Sequence, residues 1–387
     1  MNTKFWRGKR VFLTGHTGFK GSWMCLLLDQ LGASVTGYSQ DPPTKPSLFQ
    51  LARIADGIES VCGDVRDLDH LTRSLQAARP DIVIHMGAQA LVRRSYREPV
   101  ETFSTNVLGT VNLLEAVRQT GGIRAVVNVT TDKCYQNREM MWGYRENEPV
   151  GGRDPYSASK ACSELVTEAY RKSFFNVSSP SPRHGERGAT RDDLCVALGS
   201  ARAGNVIGGG DWAEDRLIPD FIRACESGRV IEIRSPTAIR PWQHVLEPLS
   251  GYLTLAERLH DDGLAFAEAW NFGPHDRDAQ PVRYIVNTLT ELWGEGAAWK
   301  LSADEHPHEA HYLKLDCSKA NNRLGWFPRT NLDTALQWIV DWHKRVRIGD
   351  DARAVSIEHI DQFLSLESQH QWNQPQPQPS AGFAKAS

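Results

Sequence analysis

No apolar run in this sequence approaches the length needed to cross a bilayer. The stretch Met1 to Arg10 is charged and leads straight into strand-like sequence, without the apolar core of a signal peptide. Cysteine is sparse and unorganised. The seven residues Cys25, Cys62, Cys134, Cys162, Cys195, Cys225 and Cys317 form no C-x-x-C pair and no His/Cys cluster at ligand spacing. That pattern argues against a disulfide framework or a bound metal, and for reduced thiols in a cytoplasmic protein. Neither sign of charge dominates. Lys plus Arg number 44 against 47 Asp plus Glu, a net charge of -3, and runs such as Arg93-Arg94 are too short for a nucleic-acid or membrane footprint. No internal repeat is visible.

What is present is ordinary globular composition over 387 residues, enough for one large or two modest domains. The first half alternates β-rich runs with amphipathic stretches. Strands are expected at Val11 to Thr14, Ser34 to Tyr38, Ile58 to Cys62, Ile82 to His85 and Ala125 to Thr130. Helices are expected through Trp23 to Leu31, Leu68 to Ala77, Val100 to Gln119 and Tyr156 to Lys172. Such alternation implies βαβ units: an α/β fold with a Rossmann-type doubly wound parallel sheet. The segment 178–193, rich in Ser, Pro, Gly and Arg, reads as a mobile loop insert, and strand character resumes at Leu194 to Ala201. Beyond Gly204 the elements shorten and mix, which suits a smaller α+β substrate-binding lobe. The expected division is 1–203, then 204–348 with some chain exchanged between the lobes. A carboxyl-terminal extension at 349–387 follows, its Gln/Pro/Ser/Ala-rich tail disordered from about Gln369.

Thr14-Gly15-His16-Thr17-Gly18-Phe19-Lys20-Gly21 joins the first strand to the first helix. Glycines at 15, 18 and 21 permit a tight turn and let a pyrophosphate reach backbone N–H groups at the helix start. A glycine turn alone is weak evidence; the strand before it and the helix after it give it weight. The second strand ends at Tyr38-Ser39-Gln40-Asp41, so the acidic residue expected for the ribose of NAD is displaced. No Arg stands there for a 2′-phosphate, and NAD is favoured.

Tyr156-Ser157-Ala158-Ser159-Lys160 sets a phenol and an ammonium one helical turn apart on one face. Lys160 can bind a cofactor ribose and favour the phenolate, making Tyr156 a general base. Upstream, the fifth strand ends in Thr130-Thr131-Asp132-Lys133-Cys134-Tyr135, on the sheet edge that faces ligand in such folds. Thr131 can hold the hydroxyl that Tyr156 deprotonates. Asp132 and Lys133 add an acid/base pair, which elimination of water needs and simple oxidation does not. Taken singly, the pair reads as a strand-end turn with a surface ion pair.

The G-x-x-G-x-x-G spacing resembles the short-chain dehydrogenase superfamily. That resemblance puts Gly15, Thr17, Gly18, Phe19, Lys20, Gly21, Asp64, Val65, Ala88, Thr130, Tyr156 and Lys160 against the cofactor, Asp64 on the adenine amino group. The motif Thr131-Asp132-Lys133-Cys134-Tyr135 resembles more narrowly the CDP-glucose 4,6-dehydratases; dTDP-glucose dehydratases carry Thr-Asp-Glu there. Arg202 to Trp212, Arg240 to Val245, Leu91 to Leu114 with Asn106 and Gly109, and His311 to Pro328 agree with it. The resemblance runs from Trp6 to His343, departing at the 178–193 insert and at Gly87 in place of Ala. It implies an internal redox cycle that turns a nucleotide-linked glucose into a 4-keto-6-deoxy sugar, for deoxysugar and O-antigen-type polysaccharide synthesis. It also implies Asn205 and Arg240 on the nucleotide phosphates, Ser95 on the sugar, and subunits paired as dimer or tetramer through Val100 to Gln119 and Tyr156 to Lys172. Rival readings are a dehydratase or 4-epimerase of another nucleotide sugar and a non-catalytic NAD-sensing regulator. UDP-N-acetylhexosamine dehydratases also pair Asp with Lys but place their Tyr closer to it. The intact Thr131, Asp132, Lys133, Tyr156 and Lys160 set argues against the regulator.

Overall fold

The computed structural model describes residues 1–175, 196–294, 296–302 and 312–372. The insert at 178–193 lies outside the described residues. Apolar strands and amphipathic helices alternate as the periodicity requires: β1 (Arg10–Thr14), α1 (Phe19–Gln30), β2 (Ser34–Ser39), the short α2 (Leu48–Leu51), β3 (Glu59–Cys62), α3 (Leu68–Ala78) and β4 (Ile82–His85). Next come α4 (Val92–Arg97), α5 (Pro99–Phe103), α6 (Gly109–Gln119), β5 (Ala125–Val129), α7 (Pro155–Tyr170) and β6 (Ala197–Ala203). The expected helix over 100–119 is two helices joined by a wide π turn at Ser104–Leu108.

Beyond β6 the chain builds β7 (Asn205–Ile207), α8 (Leu217–Glu226), β8 (Ile231–Ile233), β9 (Ile239–His244), α9 (Leu246–Asp262) and β10 (Ala269–Phe272). It ends with β11 (Ala279–Pro281), α10 (Val282–Trp293), β12 (Trp299–Leu301), α11 (Leu332–Arg347) and α12 (Ala352–Trp372). Seven strands pair in parallel in the order β10-β6-β5-β4-β1-β2-β3. The order reverses between β1 and β4, which opens a crevice at their carboxyl ends. Alternate side chains serve the two faces. Val11, Leu13, Ile82, Ile84, Ala125 and Val127 join α1 and α9 in one apolar cluster. Phe12, Val83 and Val126 join α3 and α6 in another. Each such side chain, fully buried, stabilises the fold by about 1.5–3 kcal/mol.

The smaller lobe carries two small sheets, β11-β9-β7 and β12-β8. It does not keep all the chain after 203: α9 and β10 return to the main sheet, β10 pairing with β6. The carboxyl-terminal helix α12 also returns. Arg353 Nη2 donates to Asp29 Oδ2 at 2.6 Å, Trp342 Nε1 donates to Ser356 Oγ at 2.9 Å, and Val355, Ile360 and Phe363 are buried. This helix runs to Trp372, past the Gln369 where composition predicts disorder. Its inner residues give it a surface to pack on before the Gln/Pro run begins.

Burial holds several imidazoles neutral: His16 and His343 are pulled down to about 4, His85 and His244 to about 3. Between about pH 6.5 and 4 these groups take up protons when unfolded but not when folded, so stability present above pH 6.5 falls as the pH drops. Each contributes up to about 1.4 kcal/mol per pH unit. Burial raises the carboxyls of Asp132, Glu146, Asp220, Glu226 and Glu247, which work in the opposite sense. The urea midpoint is expected to be lower at pH 5 than at pH 7, and the pH slope to flatten in His343→Asn. Equal slopes in the two proteins would show that His343 is not held neutral.

Candidate active site

The glycine turn leaves β1 and enters α1 at the sheet crevice. Gly15, at φ +78°, lies so near the loop after β4 that a Cβ would sit 2.8 Å from Gly87 N. A Cβ on Gly21 would lie 2.1 Å from Gly15 O, whereas one on Gly18 would meet nothing nearer than 3.4 Å. Two glycines therefore let helix and strands close up, and the third leaves backbone open at a helix start that no side chain caps. Thr17 Oγ1 donates to Gln40 O at 2.9 Å and lies 2.9 Å from Ser39 Oγ, tying the turn to the end of β2. Gln40 Nε2 in turn donates to Asp64 Oδ2 at 3.0 Å, and Arg66 pairs with the same carboxylate. Asp41, beyond β2, is exposed.

α7 begins at Asp154, whose carboxylate accepts from Ser157 N at 2.9 Å, with Pro155 in the first turn. That start brings Tyr156 to the end of β5. Burial pushes the Tyr156 phenol up to about 12, with hydrogen bonding by Thr131 and the charge of Arg216 pulling against it. Lys160 Nζ donates to Val129 O at 3.3 Å, and burial pulls the ammonium down to about 8. Thr131 Oγ1 donates to Asp132 Oδ1 at 3.0 Å. Asp132 Oδ2 is buried without a hydrogen-bond partner among the described residues, and burial raises this carboxyl's pKa against the pull of Lys133, Thr131 and Arg240. Burial thus favours the protonated form of this carboxyl, the form that can give a proton. Lys133, half-buried, is the next residue of the same turn.

Lys20 reaches into this site from α1. Its Nζ donates to Tyr252 Oη at 3.1 Å, and burial lowers it to about 7, helped by Lys160 and Arg216 and opposed by Asp132. Asn205 opens β7, whose partner β9 carries Arg240, and a Cβ on Gly204 would lie 3.2 Å from Asp132 Oδ2. The small sheet thus brings both residues to the turn of Asp132 and Lys133. Ala88 lies in the loop after β4 that the glycine turn packs on, and Phe19 approaches Gly208.

Three of the expected contact residues have side chains that turn into the protein. Ser95 is fully buried, donating to Val92 O at 2.6 Å and accepting from Tyr156 N at 3.1 Å. It fixes the start of α7. Thr130 turns its hydroxyl inward to Glu164. Val65 packs inward, where a Cβ on Gly109 would come within 2.6 Å of its Cγ2. Arg216, Tyr252 and Glu164 lie outside the glycine-turn, Thr-Asp-Lys and Tyr-x-x-x-Lys motifs of the sequence. Of the three only Glu164 carries a signal, the one-turn spacing from Lys160.

A strand–glycine turn–helix joined to a Thr, Tyr and Lys set at the crevice of a parallel sheet defines a nucleotide-dependent oxidoreductase-type site. The chain belongs to the NAD dependent epimerase/dehydratase family, whose model matches residues 11–271. It is 56% identical over 365 residues to a CDP-glucose 4,6-dehydratase of Salmonella typhimurium, covering 94% of this chain and 99% of that one. A dTDP-glucose 4,6-dehydratase of Streptomyces antibioticus is 30% identical over 73% of this chain and 76% of its own. Among solved structures, a dTDP-glucose 4,6-dehydratase of Streptomyces venezuelae with bound NAD superposes with TM-score 0.70 at 25% identity, covering 87% of this chain and 98% of that one.

Proposed function

We propose that the protein is an NAD-dependent CDP-glucose 4,6-dehydratase, a hydro-lyase that forms CDP-4-keto-6-deoxy-D-glucose and water. The observation that carries this reading is the buried Asp132, with its raised carboxyl pKa, set with Lys133 in one turn beside Tyr156. The cradle at Gly15, Gly18 and Gly21 fits a dinucleotide pyrophosphate, with Thr17, Phe19, Lys20, Asp64, Ala88 and Lys160 around it. Bound there, NAD would supply the reversible hydride acceptor that oxidation at C4 and reduction at C6 require, with none consumed overall.

The chain's own groups move the protons. Thr131 holds the 4-hydroxyl and Tyr156 accepts its proton. The resulting ketone acidifies C5, whose proton Lys133 removes. Asp132 protonates the departing 6-hydroxyl, which leaves as water, and the proton held by Lys133 returns to C5 as C6 is reduced. Asn205 and Arg240 hold the nucleotide diphosphate, Arg240 by its forked guanidinium. Residues 1–203 with the returning 246–272 form the cofactor domain in this reading, and the rest of 204–348 the substrate lobe. Incubation with NAD and CDP-, dTDP-, UDP- or GDP-glucose should give the alkali-induced ultraviolet band of a 4-keto sugar fastest with CDP-glucose. No band from CDP-glucose, or a faster one from another nucleotide, would refute the assignment.

Subunit pairing belongs to the same proposal. Val100 is 81% exposed, and Phe103, Leu108, Leu165 and Phe174 also stand open on α5, the π turn, α7 and the turn Arg171–Phe175 that follows it. Apolar side chains left exposed on elements packed together in this way mark an interface between copies of the chain. Sedimentation should report a dimer or tetramer, and Val100→Glu with Phe103→Glu should shift it to monomer. An active wild-type monomer at micromolar concentration would contradict this. Cytoplasmic residence, with Cys25, Cys62, Cys134, Cys162, Cys225 and Cys317 as free thiols, completes the reading.

A further inference from the structure

Tyr156, Lys160 and Glu164 follow one another at one-turn spacing along α7, and all three are buried. Lys160 Nζ donates to Val129 O at 3.3 Å, and the next residue, Thr130, donates its hydroxyl to Glu164 Oε1. Ammonium and carboxylate thus meet consecutive residues at the end of β5. Glu164 Oε2 accepts from Ser200 Oγ at 2.7 Å and from Arg202 Nη2 at 2.8 Å. Arg202 extends the network, donating from Nη1 to Tyr135 Oη at 2.8 Å and to Glu146 O at 3.0 Å. A buried ion pair is weak support for stability, because apolar side chains of like volume often serve as well. Its position against the catalytic turn calls for another role.

We propose that Glu164 is a positioning residue of the dehydratase reaction: one turn from Lys160, its buried carboxylate supplies the negative charge that holds the Lys160 ammonium at the end of β5. The inference rests on the dehydratase reading above. Other groups facing Lys160 do not supply that charge. Lys20, from α1, opposes a second ammonium. His85, from β4, is held neutral by burial, and the thiol of Cys134, beyond β5, is pushed up by burial and stays protonated. Asp132 carries a raised carboxyl, and Arg202, from β6, is itself paired with Glu164. Burial already pulls Lys160 down to about 8, and Glu164 is the foremost group acting against it. Without that carboxylate, burial and Lys20 would both favour the neutral amine, which neither binds ribose as a cation nor favours the Tyr156 phenolate.

The test uses the full chain labelled with ¹³Cε-lysine, the Lys160 resonance being assigned by its loss in Lys160→Arg. In Glu164→Gln the titration midpoint of Lys160 should fall by about one pH unit, the order expected for loss of a unit charge one helical turn away. Ser200→Ala, which removes a hydrogen bond from the same network but keeps the charge, should leave the midpoint in place. The alkaline limb of kcat/KM in the holoenzyme should move with the resonance. Should Glu164→Gln not fold, Glu164→Gln with Arg202→Met leaves no buried guanidinium unpaired and should show a fall in the same direction. An unmoved midpoint in whichever variant folds overturns the proposal, as does an equal fall in Ser200→Ala. Failure of the dehydratase reading appears separately, as absence of 4-keto product from wild type.

Discussion

Tyr156→Phe is expected to lower turnover of CDP-glucose by roughly 10²–10⁴-fold, the usual worth of a positioned general base. Its phenol stands beside Thr131 at the end of β5, whereas Tyr252, which also faces Tyr156 and Asp132, accepts a hydrogen bond from Lys20. The backbone of Tyr156 is held by Ser95 and the helix start by Asp154, neither of which needs the hydroxyl. Thermal midpoint and NAD affinity should therefore stay near wild type. Phe at 156 with near wild-type turnover would remove the phenol from the mechanism.

Removing Asp132 and Lys133 together should separate oxidation from elimination. Asp132→Asn keeps the size of a buried group and the hydrogen bond from Thr131, but has no proton of carboxyl acidity to give. Lys133→Met keeps the length of the side chain and removes its base. Thr131, Tyr156 and Lys160 remain, so C4 oxidation should survive in part while elimination slows by roughly 10²–10⁴-fold. In a single turnover, stopped-flow absorbance at the reduced-nicotinamide band should rise and persist, with 4-keto-glucose nucleotide recovered on quenching. Unchanged yield and rate of the 4-keto-6-deoxy product would make the pair structural, and the site that of a plain oxidoreductase or epimerase.

Much of the site is legible without coordinates because its parts are local. A strand, three glycines and a helix are contiguous in the chain, and the phosphate cradle forms within them. Tyr156 and Lys160 share a face because 3.6 residues make a turn, and Thr131, Asp132 and Lys133 share a strand end because they are neighbours. The parallel sheet follows from alternation of buried strands and amphipathic helices, since parallel strands need a crossover between them.

Direction of side chains and return of distant segments are of another kind. Thr130 and Thr131 are adjacent hydroxyls at one strand end, yet one turns inward to Glu164 and the other reaches Asp132 and the phenol. Ser95 is far from Tyr156 in sequence and holds its backbone, so its role depends on how α4 packs against α7. Arg216 and Arg240 act on Tyr156 and Asp132 from the smaller lobe, and β10 and α12 come back to the main sheet and to α1 after long excursions. Periodicity, motif spacing and helix register act over a few residues, so the chain alone settles the fold class and points to the proposed cofactor turn and catalytic trio. Burial, pKa and long-range pairing depend on which surfaces exclude water together, and that is settled when the two lobes close around one crevice.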